Sequence, residues 1–217
     1  MEKEYLNEIL DVYERIKPDI KSRLEDFKEV WMDGNNEDIH VELSFCILTP
    51  QSKARNAWSA ITKLRDSGLL YRGDEEEIVE YLNVVRFKNT KAKNLVVVRE
   101  QMKDSLGELI TKDFFSILGD VFEVREWIVK HIRGMAHKEA SHFLRNIGFG
   151  DEIAILDRHI LKNLVLLGVI DEIPKTITAK RYKDIEGKML KYCKKIDLPM
   201  DEFDLLLWYL ETGEIFK

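Results

Sequence analysis

At 217 residues, with 45% apolar and 34% charged side chains, the chain is long enough to bury a sizeable core and too apolar to stay disordered. No apolar run approaches the ~20 residues that cross a bilayer, so a helical membrane protein and a membrane partner are excluded. The charged opening Met-Glu-Lys-Glu-Tyr is unlike a signal peptide, and the two cysteines, Cys46 and Cys193, lack metal-ligand spacing, which points to a reduced cytoplasmic protein with no metal and no cofactor.

Proline is scarce, alternating β-branched strands are missing, and a 3.6-residue apolar period recurs from end to end, so the fold is predicted all-α. Helices are expected near 3–16, 18–32, 37–48, 53–67, 75–84 and 89–104, then near 112–118, 122–132, 138–147, 158–167, 178–195 and 200–211. Asn36, Ser52, Asp74 and Asn89 precede or open periodic segments, as N-caps do. Gly68, Gly148, Gly168 and Gly213 fall at helix ends, where a left-handed residue is needed. Short connections and the absence of a repeat predict a single compact domain over 1–217, two-lobed, with no composition shift to mark a lobe boundary.

The net charge of −6 argues against long-range attraction to nucleic acid, but a binding face is decided locally. Between Lys130 and Arg145 there are four Lys/Arg, one acidic residue and three of the five histidines. Arg86, Lys88, Lys91 and Lys93 form a second basic cluster, although charge runs are often merely solvated faces.

The first cluster lies in a predicted helix–turn–helix at about 122–147, with Gly134 in the turn. In its second helix Ala140, Phe143, Leu144 and Ile147 share an apolar face, while Lys138, His142 and Arg145 fall opposite. Backbone N–H groups around Arg133, Gly134 and Ala136, together with the new helix's N-terminus, suit a phosphate. An ordinary helical hairpin would show the same spacing. Beyond Gly148-Phe149-Gly150 comes Asp151-Glu152-Ile153-Ala154-Ile155-Leu156-Asp157, where Asp157 precedes an amphipathic helix and is predicted to be its N-cap. A capping carboxylate keeps a second oxygen for other work.

The hairpin with Lys138, the glycine-containing loop and Asp157 resemble the helix-hairpin-helix DNA glycosylase superfamily. The wording Lys-Glu-Ala-Ser-His-Phe-Leu-Arg-Asn at 138–146, then Ala-Ile-Leu-Asp-Arg-His at 154–159, is similar to the archaeal-type second family of 8-oxoguanine DNA glycosylase/AP lyases. The resemblance runs the whole length. It departs at Ala136, where the superfamily hairpin commonly has a second glycine, and in the loop before Asp157, which lacks proline. Two cysteines also cannot supply the four that hold an iron–sulfur cluster in many members.

The resemblance implies a monomer that excises 8-oxoguanine from double-stranded DNA, with Lys138 attacking the sugar and Asp157 positioning and stabilising charge. Abasic sites would be its second substrate. It implies that Phe87 and Trp208 sandwich the flipped base, that Gln51 fills the gap left in the duplex, and that Arg133, Gly134, Ala136 and Arg145 contact DNA. It also places Lys217, with a chain-terminal carboxylate, at the base pocket. An acceptor-only carboxylate would pair with the N7 hydrogen of 8-oxoguanine and be repelled by N7 of guanine. As plain sequence features, the two aromatics suit a core and Gln51 a polar loop. The competing readings are a glycosylase for another oxidised base, a non-enzymatic helix-hairpin-helix DNA-binding protein, and a helical scaffold for protein partners.

Overall fold

The computed structural model describes residues 2–217 and is built from helices. Among the described residues the helices are α1 (Glu2–Asp33), α2 (Asn36–Leu48), α3 (Ala54–Asp66), α4 (Leu69–Arg72), α5 (Glu75–Tyr81) and α6 (Lys88–Gln101). They continue as α7 (Thr111–Ser116), α8 (Val121–His131), α9 (His137–Asn146), α10 (Arg158–Leu166), α11 (Ala179–Ile196) and α12 (Met200–Thr212). A lone antiparallel bridge joins Lys103 to Leu109, and no sheet forms among the described residues. Among these residues no helix is long and apolar enough to cross a membrane.

The chain forms two compact units. A terminal unit comprises Met1–Glu29 with Leu144–Lys217, and a middle unit comprises Val30–Phe143. The chain leaves the terminal unit within α1 and returns to it within α9. In the terminal unit, α12 packs against α10 and α11, and Ile20, Phe27, Ile185, Met189 and Phe203 lie in its core. In the middle unit, α2 is the central helix, buried without interruption from Ile39 to Leu48 and packed against α3, α6 and α7.

Sequence pattern predicts two helices before residue 33, separated at Pro18, whereas the structure has one. Proline costs a helix one hydrogen bond and clashes with the preceding turn. Here Pro18 is exposed, so the carbonyl left over can be hydrated, while Ile9, Tyr13, Ile16, Ile20 and Phe27 bury one continuous face. Packing of that face outweighs the local penalty. The single turn α4 escapes the sequence pattern, because four residues are too few to display a period.

Three of the four expected caps also shift. Asn35, not Asn36, caps α2, accepting from the Glu37 and Asp38 N–H groups while Asp38 accepts from Asn35. Asn36 instead accepts from the Lys112 and Asp113 N–H groups, tying α2 to α7. At α6 the cap position is held by Phe87, and Asn89 lies inside the helix. At α3 it is held by Lys53, one residue after Ser52. Asp74 caps α5 as expected, in a full capping box. Substituting Asn35 by Ala is therefore expected to cost about 1 kcal/mol, the usual loss of an N-cap. Asn89→Ala should stay within about 0.5 kcal/mol of the native protein. Urea denaturation of both variants checks the assignment; an equal loss would remove it.

Candidate active site

Helices α8 and α9 form the predicted hairpin, joined by the turn 132–136. Asp120 caps α8 in a capping box, and side-chain bonds hold α8 to α9. The Arg125 guanidinium donates to Ser141 Oγ at 3.2 Å, and His137 Nε2 lies 3.0 Å from Glu126 Oε1. Gly134 sits in the turn at φ +89°, and a Cβ there would come within 2.4 Å of Asn94 Nδ2. A residue with a side chain would be strained at that φ and would have to displace the Asn94 amide. Arg133, Gly134 and Ala136 are all exposed, which leaves the turn's backbone open to an anion.

The apolar face of α9 is buried as the spacing predicts, but so is most of the opposite face. Ser141, His142, Arg145 and Asn146 are each 6% exposed or less, and Lys138 is the one residue of α9 that is not buried. Its ammonium lies 3.2 Å from Glu139 Oε1 and donates to Thr49 Oγ1 at 3.5 Å. Glu139 also accepts from the Ala136 N–H, so one carboxylate spans the hairpin turn and the amine. Sequence reasoning missed both Glu139 and Thr49. Glu139 was at least visible as the neighbour of Lys138, whereas Thr49 is 89 residues away.

Arg145 does not fit the expected phosphate contact. Its guanidinium lies over the Phe27 ring at 4.8 Å and 4.0 Å from Asp204 Oδ2, almost fully buried. The amphipathic spacing of α9 could not show this, because it assumes a water-facing side.

In the terminal unit, Asp157 caps α10 as predicted. Its Oδ1 accepts from both the His159 and Ile160 N–H groups, at 2.8 and 2.9 Å, and Oδ2 is left without a protein hydrogen bond. Trp208, on α12, meets His159 edge to face at 5.4 Å, and its buried Nε1 has no hydrogen-bond partner. Glu211 gathers His159, Lys162 and Asn163 of α10, and those bonds hold its carboxyl below the ordinary range. Lys217 lies with its amine 6.0 Å from the Phe27 ring, and Ile215 packs on the core, so the tail is anchored in this unit.

In the middle unit, Gln51 and Phe87 are both exposed and both adopt left-handed backbone, at φ +54° and +58°. For a residue as bulky as phenylalanine this is a strained conformation. Ser52, expected to cap α3, does not; Lys53 holds that position with no side-chain bond. Lys91, expected among a solvated basic cluster, is instead buried. Burial pushes its ammonium down to about 8, with the Lys138 charge adding and Glu139 opposing.

Comparison with known proteins puts the chain among the helix-hairpin-helix DNA glycosylases. The family model described as 8-oxoguanine DNA glycosylase matches residues 20–198, and the chain belongs to that family. It is 63% identical over 214 residues to a Fusobacterium nucleatum protein named 8-oxoguanine DNA glycosylase/AP lyase, covering 99% of this chain and 98% of that one. The crystal structure of the Thermotoga maritima 8-oxoguanine DNA glycosylase matches with a TM-score of 0.87 at 35% identity, over the full length of both chains. The Methanocaldococcus jannaschii 8-oxoguanine glycosylase/lyase, solved in complex with a 15mer DNA containing 8-oxoguanine, matches with a TM-score of 0.87 at 34% identity, over 98% of this chain and 100% of that one.

Asp204 is a further buried acid, on α12 one turn before Trp208. Burial pushes its carboxyl up to about 7, the charges of Asp157 and Asp201 adding and Arg145 opposing. Between an unfolded value near 3.9 and about 7 the folded protein holds a proton that the unfolded chain has released. Stability from this group is thus fully present below about pH 4 and is lost as pH rises through 7. Melting curves of the native protein and Asp204→Asn between these limits should show the native Tm falling relative to the variant by several degrees. A constant difference across that range would mean Asp204 does not titrate there.

Proposed function

We propose that the chain excises 8-oxoguanine from duplex DNA and then cleaves the strand at the resulting abasic site, with Lys138 as nucleophile. The observation that carries the reading is the exposure pattern of α9, in which Lys138 is the one residue not buried. A solvated face would carry several such residues. A non-enzymatic DNA-binding hairpin or a protein scaffold would have no use for one presented amine.

The glycosidic bond of a base inside a duplex is shielded, so the nucleotide must leave the stack before chemistry. Exposed backbone of Arg133, Gly134 and Ala136 would hold phosphate, and Gln51, on its turn, would occupy the vacated space. Phe87, 56% exposed, would offer the flipped base a flat apolar surface, and Trp208 and Lys217 are assigned to contact the same base.

The neutral amine of Lys138 attacks C1′ as the C1′–N9 bond breaks, and the pair of electrons leaves with the base, which takes up a proton. Loss of the amine's proton and opening of the sugar give an imine between Nζ and C1′. The imine acidifies the C2′ hydrogen. Its removal expels the 3′ phosphate oxygen, and water then releases the enzyme. Asp157, with Oδ2 available, is assigned to accept the proton from the amine and to stabilise positive charge on the sugar.

Lys138→Gln should abolish excision and borohydride trapping while retaining affinity for lesion DNA. Strand cleavage by that variant at the native rate would remove Lys138 from the mechanism. Asp157→Asn keeps a competent cap but should lower single-turnover excision by about 10²-fold, as loss of a major electrostatic group does. A native rate would leave Asp157 a cap only.

Affinity should fall with salt on a log–log line, and Arg133→Ala should reduce the slope by about 0.9, one phosphate contact. Arg145→Ala, buried in the native fold, should leave the slope unchanged. The opposite pattern would place the phosphates elsewhere.

A further inference from the structure

The strongest unexplained group is Lys91, a buried amine the chemistry above does not use. It sits one turn into α6, and its N–H donates to the carbonyl of Phe87, the strained cap of that helix. Its side chain runs inward to the end of α2. There Nζ donates to Leu48 O at 2.7 Å, Pro50 O at 2.8 Å and Ser52 Oγ at 2.9 Å. Three acceptors match the three donors of an ammonium.

Each bond has a local reason. Leu48 is the last residue of α2, where carbonyls lack intrahelical partners and the helix end carries partial negative charge. No basic residue lies in that helix's own last turn, so Lys91 supplies the cation from α6. Pro50 precedes Gln51, whose left-handed backbone needs its flanking residues held. Ser52 Oγ also accepts from the Arg86 N–H at 3.0 Å, the residue before Phe87. A second bond joins the same segments, from Asn56 Nδ2 to Val84 O at 3.0 Å.

Lys91 and Ser52 therefore link the turn with Gln51 to the turn with Phe87. Gln51 and Phe87 are two of the three described non-glycine residues with positive φ. Without an internal clamp, neither would hold that conformation at an exposed position.

We propose that Lys91, acting through Ser52, is the positioning residue that locks the Gln51 and Phe87 turns in one arrangement and so couples nucleotide flipping to the base pocket. The proposal rests on the reading of Gln51 and Phe87 as DNA-facing residues. An abasic site has no base to stack and no pairing to break, so its cleavage is the step that such a clamp should affect least.

The test compares Lys91→Met and Ser52→Ala with the native protein on two duplexes, one carrying 8-oxoguanine and one a preformed abasic site. A 2-aminopurine beside the lesion reports flipping, and circular dichroism reports folding. Lys91→Met removes a charged hydrogen bond, so 8-oxoguanine excision should fall by roughly 10- to 100-fold. The 2-aminopurine signal should fall with it, and abasic cleavage should change by less than about threefold. Ser52→Ala keeps the ammonium's bonds to Leu48 O and Pro50 O but loses its bond to Ser52 Oγ and the link to Arg86, so a smaller loss of the same selectivity is expected even if Lys91→Met folds poorly. Equal losses on both substrates, or native flipping in both variants, would overturn the proposal. Gln51→Ala and Phe87→Ala test the underlying reading separately, because native excision by both would remove them from the DNA interface whatever Lys91→Met does.

Discussion

A polar side chain taken out of water has to be answered by protein, and α9 takes six of them inside, among them Ser141, His142, Arg145 and Asn146. Ser141 accepts from Arg125 of α8. His142 meets the Phe45 ring edge to face at 5.4 Å. Arg145 lies over Phe27 and close to Asp204. Each partner comes from a different helix, so together they fix the rotation of α9 about its axis. Lys138 then has no choice of direction. Residues of other helices decide where the Lys138 amine points.

A second constraint is backbone strain. Of the three described non-glycine residues in the left-handed region, Asp197 ends α11, a position where such a conformation is ordinary. Gln51 and Phe87 have no helix end of that kind to serve. Their conformations persist because the surrounding bonds over-determine them, from Lys91 and Ser52 to the carbonyls and amides of both turns. The same bonds bury an ammonium against helix carbonyls, where leaving any donor unmatched would be costly.

Charge is distributed to suit a protein that is acidic overall yet handles a polyanion. Some of the acid is engaged in helix starts, where Asp38, Glu77 and Glu123 complete capping boxes at α2, α5 and α8. The hairpin turn, by contrast, exposes backbone amides beside Arg133 with a single carboxylate, Glu139, turned towards Lys138. A net charge of −6 gives no long-range attraction to a polyanion, so on the proposed reading recognition would rest on a few local contacts.

The sequence alone determined what depends on neighbours along the chain. Apolar period placed eleven of the helices near their observed positions, the capping role of Asp157 followed from the residue before an amphipathic run, and local wording identified the hairpin and the family. What sequence could not supply were outcomes of packing between distant segments. Proline chemistry at Pro18 favours a break between helices, and a buried apolar face carries one helix through it. Arg145 and Lys91 belong in water by charge, yet Phe27 and Asp204 enclose the first and the end of α2 receives the second. Ser52 stands where it could cap its own helix and instead joins two turns 34 residues apart. Local pattern records what a residue prefers beside its neighbours, whereas burial of a charge depends on whether partners from elsewhere in the chain repay its lost hydration, and only the tertiary structure brings those partners together.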